Sequence, residues 1–325
     1  MKERIFNITT QEEFEKIALE IFRIQSTKCT PYRDFINLVG IDPSAINSIE
    51  KIPFLPVSLF KTHSIICEGL DPEIIFTSSA TTGMVPSSHP IADLSIYKES
   101  FSRAFRHFWG EPSEYAILAL LPSYLEREGS SLVYMADTLI KESCNKDSGF
   151  YLYDFGTLYE KLISLKERSV KTLLLGVSFA LLEFINEYKI NFPELIVMET
   201  GGMKGRGKEI SREDLHLALK KGFGVAKIAS EYGMAELLSQ AYSYGEGVFK
   251  TPPWMEILIR DLSNPFRILN GNVSGGINII DLANLNSCSF IETQDMGIKE
   301  AGNTFRISGR IQNSELRGCN LLLEQ

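Results

Sequence analysis

Three short stretches carry residue types that could do chemistry. From Phe76 the chain reads Phe-Thr-Ser-Ser-Ala-Thr-Thr-Gly-Met-Val-Pro, crowding hydroxyls and a glycine between a short apolar run and a downstream helical stretch. Successive backbone N–H groups in such a turn make a concave anion site, and Ser or Thr hydroxyls add donors without bulk. The second stretch, Glu231-Tyr232-Gly233-Met234-Ala235-Glu236, ends a strand-like run, where open α/β sheets place their ligands. An aromatic ring there can stack on a base, and a carboxylate can hold Mg2+ against a triphosphate. The third is Thr293-Gln294-Asp295-Met296-Gly297, followed by Ser308-Gly309-Arg310. An aspartate at a strand end can accept both hydroxyls of a ribose, and an arginine nearby can pair with a phosphate. Each stretch alone also has a plain reading: a Ser/Thr-rich surface loop, a strand-end tyrosine beside a solvated glutamate, and two turns.

The elements that must position these residues follow from hydrophobic periodicity. Phe14, Ile17, Ala18, Ile21 and Phe22 recur at three and four residues, and Thr10 with Glu13 makes a capping box, so an early helix is expected. Pro53 and Pro56 forbid a long helix and favour an extended crossing segment. A second amphipathic helix runs from about residue 91 to Phe108. AILALL, FYLYD, KTLLLGV, ELIVMET and KIASEY then read as strands, separated by helical stretches such as GSSLVYMADTLIKES, FALLEFINEY and SREDLHLALKKG. That alternation implies right-handed crossovers and a mostly parallel sheet with helices on both faces. Beyond about residue 246 the texture changes to short strands with Gly and Asn turns, so residues 1–245 are expected to form an α/β core and 246–325 a β-rich subdomain.

Composition narrows the classes. The 325 residues are 44% hydrophobic and 23% charged, ordinary globular usage, with a net charge of −8. A general nucleic-acid or anionic-membrane binder needs a basic face, so neither is expected. Cys29, Cys67, Cys144, Cys288 and Cys319 are odd in number and lack CxxC spacing, which argues against a disulfide framework or zinc site and for a reduced, cytoplasmic compartment. The longest mostly apolar run, Leu173 to Leu182, is about half the ~20 residues of a membrane span. His107 and His216 read as structural or surface residues, while His89 reads either as facing the substrate carboxylate or as part of a surface turn.

The order of the motifs says more than any one of them. A Ser/Thr-Gly loop, then Y-G-x-x-E, then an acidic D-x-G, then G-R resembles the adenylate-forming superfamily of acyl-CoA synthetases, adenylation domains and luciferases. Within it the chain is most similar to acyl-protein synthetases of the bioluminescence type, on the strength of FTSSATTG with Pro86 and His89, LLPSYLEREGSSL at 120–132, ETGGMKGRGKEI at 199–210 and GRIQNSELRGC at 309–319. The resemblance implies the fold of the large N-terminal domain of these enzymes. It implies activation of a carboxylic acid, a fatty acid in the narrower family, by ATP and Mg2+ as an acyl-adenylate, then transfer of the acyl group to a nucleophile. Thr77, Ser78, Ser79, Thr81, Thr82 and Gly83 would cradle the β and γ phosphates. Gly201 and Gly202 would let the backbone approach the adenine, with Tyr232 and Gly233 beside it and the tyrosine ring stacked on the base. Glu236 would hold Mg2+, Asp295 the ribose, and Arg310 the ribose-phosphate edge. Cys319 would receive the acyl group, for delivery to an acceptor or carrier protein.

Departures from the pattern are informative. Ser87 and Ser88 stand where a lysine usually follows the loop proline, and Ala235 where a threonine usually meets the α-phosphate. The chain stops about where ordinary members begin a mobile lid that supplies a catalytic lysine, so no lid domain is expected, and Lys204, Arg206 and Lys208 are candidates for a replacement charge or a solvated basic loop. Direct use of CoA, or adenylate binding without turnover, are the alternative readings.

Overall fold

The computed structural model describes residues 1–78, 85–122, 129–201 and 210–311. Helix α1 (Lys2–Phe6) is followed by α2 (Gln11–Lys28), whose start is fixed by the expected capping box: Thr10 accepts from the Glu13 amide while the Glu13 side chain reaches back to the cap. The buried face of α2 carries Phe14, Ile17, Ala18, Ile21 and Phe22, each large side chain contributing about 1.5–3 kcal/mol. Helix α3 (Thr30–Leu38) packs against it, and Phe22 meets Tyr32 and Phe290 edge-on at centroid distances of 6.2 and 5.9 Å. Gln25, fully buried on α2, donates to the carbonyls of Asn284 and Leu285 and accepts from the Ser289 amide. The N-terminal helices therefore brace a distant turn at 284–289.

The proline segment is less extended than its prolines suggest. Strand β1 is two residues, Leu55–Pro56, set between single helical turns and paired in parallel with Ile291–Glu292. Next come a hairpin of β2 (Ile74–Thr77) and β3 (Ser88–Ile91), then α4 (Leu94–Trp109). The alternating middle is β4 (Ala116–Leu120), α5 (Ser131–Ser143), β5 (Gly149–Phe150), α6 (Phe155–Glu167), β6 (Thr172–Val177), α7 (Ser178–Glu187), β7 (Ile196–Thr200), α8 (Arg212–Phe223) and β8 (Ala229–Tyr232). Of FYLYD only Phe150 stays in the strand, because Asp154 turns away to cap α6 by accepting from the Thr157 amide.

Strands β5, β4, β6, β7 and β8 pair in parallel in that order. From β8 the sheet continues antiparallel through β9 (Ala241–Ser243) and β10 (Phe249–Lys250). It is completed by β11 (Met255–Arg260), β12 (Ile268–Leu269), β13 (Ser274–Asp281), β14 (Phe290–Lys299) and β15 (Thr304–Arg310), in the spatial order β12-β11-β13-β14-β15-β10. Among the described residues the strands beyond 246 are joined to the parallel part through β15, β10 and β9 as one mixed sheet flanked by helices. Fully buried β4 and β6 need apolar residues on both faces, which AILAL and TLLLGV supply. Among the described residues no helix is long and apolar enough to cross a membrane.

Candidate functional site

The second and third stretches meet at the carboxyl end of β8, where Tyr232 reaches Asp295. Thr200 and Glu231 are register partners on β7 and β8, so Gly201 and Tyr232, each one residue further on, lie side by side. Gly201 has φ +64° and its carbonyl accepts from the Ser178 hydroxyl at 2.6 Å. Glu231 takes the Thr200 hydroxyl and lies across the next glycine: a Cβ on Gly233 would sit 2.5 Å from its Oε1. A side chain at 233 would displace the Glu231 carboxylate from its bond with Thr200.

Tyr232 points to the other face. Its ring packs against Phe249 and Phe305 at 6.0 and 5.8 Å and is 9% exposed, and its hydroxyl donates to Asp295 Oδ2 at 2.8 Å. Burial raises the Tyr232 pKa well above its ordinary value, so the hydroxyl stays a donor. Asp295 and Arg310 are register partners on β14 and β15, and Arg310 Nε donates to Asp295 Oδ1 at 3.1 Å. Each carboxylate oxygen of Asp295 thus has one protein donor and keeps a lone pair for a ligand hydroxyl. An adenine on Tyr232 would have only the small open rim of the ring, and the contact visible here is its hold on Asp295.

The stem of the hydroxyl-rich loop lies next to Glu236. Ser78 N donates to Ser87 O at 3.0 Å, and Ser87 N donates to Ser78 Oγ at 2.8 Å, which draws the two ends of the loop together. Thr77 N donates to Gly129 O at 2.8 Å, and a Cβ on Gly129, at φ +82°, would meet Ile75 O at 2.9 Å. Burial pushes the Glu236 pKa up, partly offset by the nearby Ser87 side chain, by its own amide and by Arg310 and Lys61. Ser79, Thr81, Thr82, Gly83, Gly202, Lys204, Arg206, Lys208 and Cys319 lie outside the described residues.

Among the described residues no group of three or more His, Cys, Asp or Glu could hold a metal by itself. One buried carboxylate beside a phosphate-type loop fits Mg2+, which keeps few protein ligands and takes the rest from phosphate and water. In that arrangement Glu236 would be the protein ligand.

Buried side chains whose part sequence patterning did not show hold the 235–239 segment. His89 is buried in β3, neither in a surface turn nor open to a ligand. Its Nδ1 donates to Ala235 O and its Nε2 accepts from Ser287 Oγ, both at 2.9 Å. Burial lowers its pKa from 6.5 to about 4, against the smaller opposing effect of the Ala235 carbonyl. A depressed pKa means that the unfolded chain binds the proton more readily. Stability tied to His89 is therefore complete above pH 6.5 and is lost as pH falls towards 4, by ~3 kcal/mol in all. Denaturant melts of wild type and His89→Asn across this window should converge by about that amount, and parallel curves would show that the histidine does not titrate with folding.

Comparison with known proteins speaks to the fold. No protein-family model matches the chain, and no curated relative does. Among solved structures, an open conformation of 2-hydroxyisobutyryl-CoA ligase, in complex with 2-HIB-AMP and CoA, matches at TM-score 0.65 and 13% identity, covering 94% of this chain and 77% of that one. ATP-bound MatB from Rhodopseudomonas palustris matches at TM-score 0.54 and 18% identity, over 73% of this chain and 47% of that one. A luciferase-like enzyme from the mealworm Zophobas morio matches at TM-score 0.50 and 16% identity, over 75% and 58%. The chain spans about half the length of MatB (47%). The chain therefore shares its fold with 2-hydroxyisobutyryl-CoA ligase over nearly its whole length and with MatB over about three quarters of it.

Proposed function

We propose that the protein activates a carboxylic acid with ATP and passes the acyl group to a thiol. The observation that carries this reading is the convergence of Asp295, held by Tyr232 and Arg310, with Glu236 and the stem of the hydroxyl-rich loop, on the fold of acyl-CoA ligases. Residues 1–245 would form the adenylate-forming core and 246–325 would complete the nucleotide site. Thr77 and Ser78, with the loop residues after them, would take the β and γ phosphates, and Gly201 and Tyr232 would flank the adenine. Mg2+ at Glu236 would offset charge building on the phosphates. The acid's carboxylate oxygen bonds to the α-phosphorus as the α–β bond breaks and pyrophosphate leaves; a thiolate then bonds to the acyl carbon and AMP leaves. Following the acyl-protein synthetase resemblance, we assign a fatty acid as substrate and Cys319 as the first thiol. That the 2-hydroxyisobutyryl-CoA ligase holds CoA favours a second reading, direct transfer to CoA. The test is pyrophosphate release from ATP, Mg2+ and a panel of carboxylic acids, with and without CoA. A burst of pyrophosphate with fatty acids that CoA leaves unchanged supports the first reading and repeated turnover that appears only with CoA the second, whereas ATP binding with no release would reduce the protein to an adenylate binder.

Asp295→Ala should weaken ATP binding roughly ten- to a hundredfold, the scale of one or two charge-assisted hydrogen bonds to the ribose. It should also lower the melting temperature, because the buried Tyr232 hydroxyl loses its acceptor, at a cost of about 1–3 kcal/mol. Calorimetry on the variant showing unchanged ATP affinity would move the ribose elsewhere.

A further inference from the structure

We propose that His89 positions Glu236 for the metal, a role that rests on the functional reading above. The segment from Ala235 to Ser239 belongs to no helix or strand, so its shape must come from elsewhere. Three fully buried side chains supply it. His89 Nδ1 donates to Ala235 O at 2.9 Å, and Asn284 Nδ2 donates to Glu236 O at 2.8 Å. The Asp281 carboxylate accepts from the amides of Leu238 and Ser239 at 2.8 and 2.9 Å. A carbonyl can only accept, so Nδ1 carries the proton, and Nε2 must then take the hydroxyl proton of Ser287, at 2.9 Å. That second bond fixes the ring, and Phe60 stands against it edge-on at 5.2 Å.

The place of His89 on its strand gives it this part. Ser87 immediately precedes β3 and His89 is the second residue of that strand. Ser87 lies near the Glu236 side chain, and His89 bonds the backbone just before it. Because Ser87, paired with Ser78, leads directly into β3, the stem of the loop and the backbone before Glu236 are tied through one strand.

Two substitutions separate this role from simple core packing. The amide nitrogen of His89→Asn replaces Nδ1 and keeps the donor to Ala235; that of His89→Gln reaches the Nε2 position and loses it. Both place a neutral amide in the same buried site, so both lose stability. The measurement is calorimetric ATP affinity with Mg2+ and with chelator, whose ratio reports metal-assisted binding. Asn should keep that ratio within about twofold of wild type, and Gln should lose about tenfold, the scale of one hydrogen bond. In the ligand-free protein, amide exchange across 234–239 should quicken in His89→Gln and not in His89→Asn. A wild-type ratio retained by His89→Gln overturns this inference alone. A wild type in which Mg2+ adds nothing to ATP affinity overturns the functional reading, and this inference with it.

Discussion

Glu236→Gln is expected to cut pyrophosphate release by about a hundredfold or more, the scale of several kcal/mol for a metal's charge stabilisation, while AMP affinity in chelator stays within about twofold. The reasoning is geometric and electrostatic together. Glutamine keeps the shape of the side chain and an oxygen on the side of Ser87, so the packing around it has no reason to change. It removes only the charge, and that charge is costly here: the carboxylate is 5% exposed and burial raises its pKa. A neutral isostere relieves that cost, so the ligand-free variant should melt at the wild-type temperature or above it. Lower activity with equal or greater stability is the signature of a group held charged for a ligand. Equal loss of AMP binding and of pyrophosphate release would instead make Glu236 a structural residue.

The sheet and the motifs were legible in sequence for different reasons from those that hid the loop's supports. Helix α2 announces itself through period-3.6 apolar residues and Thr10-x-x-Glu13, both local signals that the structure retains. The alternation of AILAL, TLLLGV and IVMET with helices gives the parallel order, because crossovers leave few alternatives. His89 carries no such signal. Its partner is the backbone of Ala235, 146 residues on, and no periodicity shows where a carbonyl will turn. Asp281 and Asn284 are similar: charged and polar residues after the apolar run Ile277 to Ile280 read as a turn leaving a strand, yet both are buried because backbone groups of the 235–239 segment need partners. A weak signal existed in Asp281-Leu-Ala-Asn284, polar residues embedded in apolar neighbours. Cysteine spacing likewise gave no sign that Cys29 would lie beside Cys67 and Cys288.

Cys319→Ser is expected to abolish covalent acylation while pyrophosphate exchange survives. An acyl-adenylate is a mixed anhydride, and a thiolate attacks its carbonyl far better than water or a serine hydroxyl at neutral pH. Cys319 lies outside the described residues, so its case rests on the acyl-protein synthetase resemblance and on the thiols that the structure does place. Cys29 and Cys288 are fully buried, and burial pushes the Cys288 thiol up, away from the thiolate form. Among the described cysteines only Cys144 is exposed, at the C-terminal end of α5, so Cys144→Ser is the control for adventitious labelling. The protein would be incubated with ATP, Mg2+ and radioactive fatty acid, then treated with neutral hydroxylamine, which cleaves thioesters. Wild type and Cys144→Ser should carry a hydroxylamine-labile label that Cys319→Ser lacks. Undiminished label in Cys319→Ser would end the assignment, and acyl-CoA formation by all three proteins with no labile label on any of them would establish direct transfer to CoA instead.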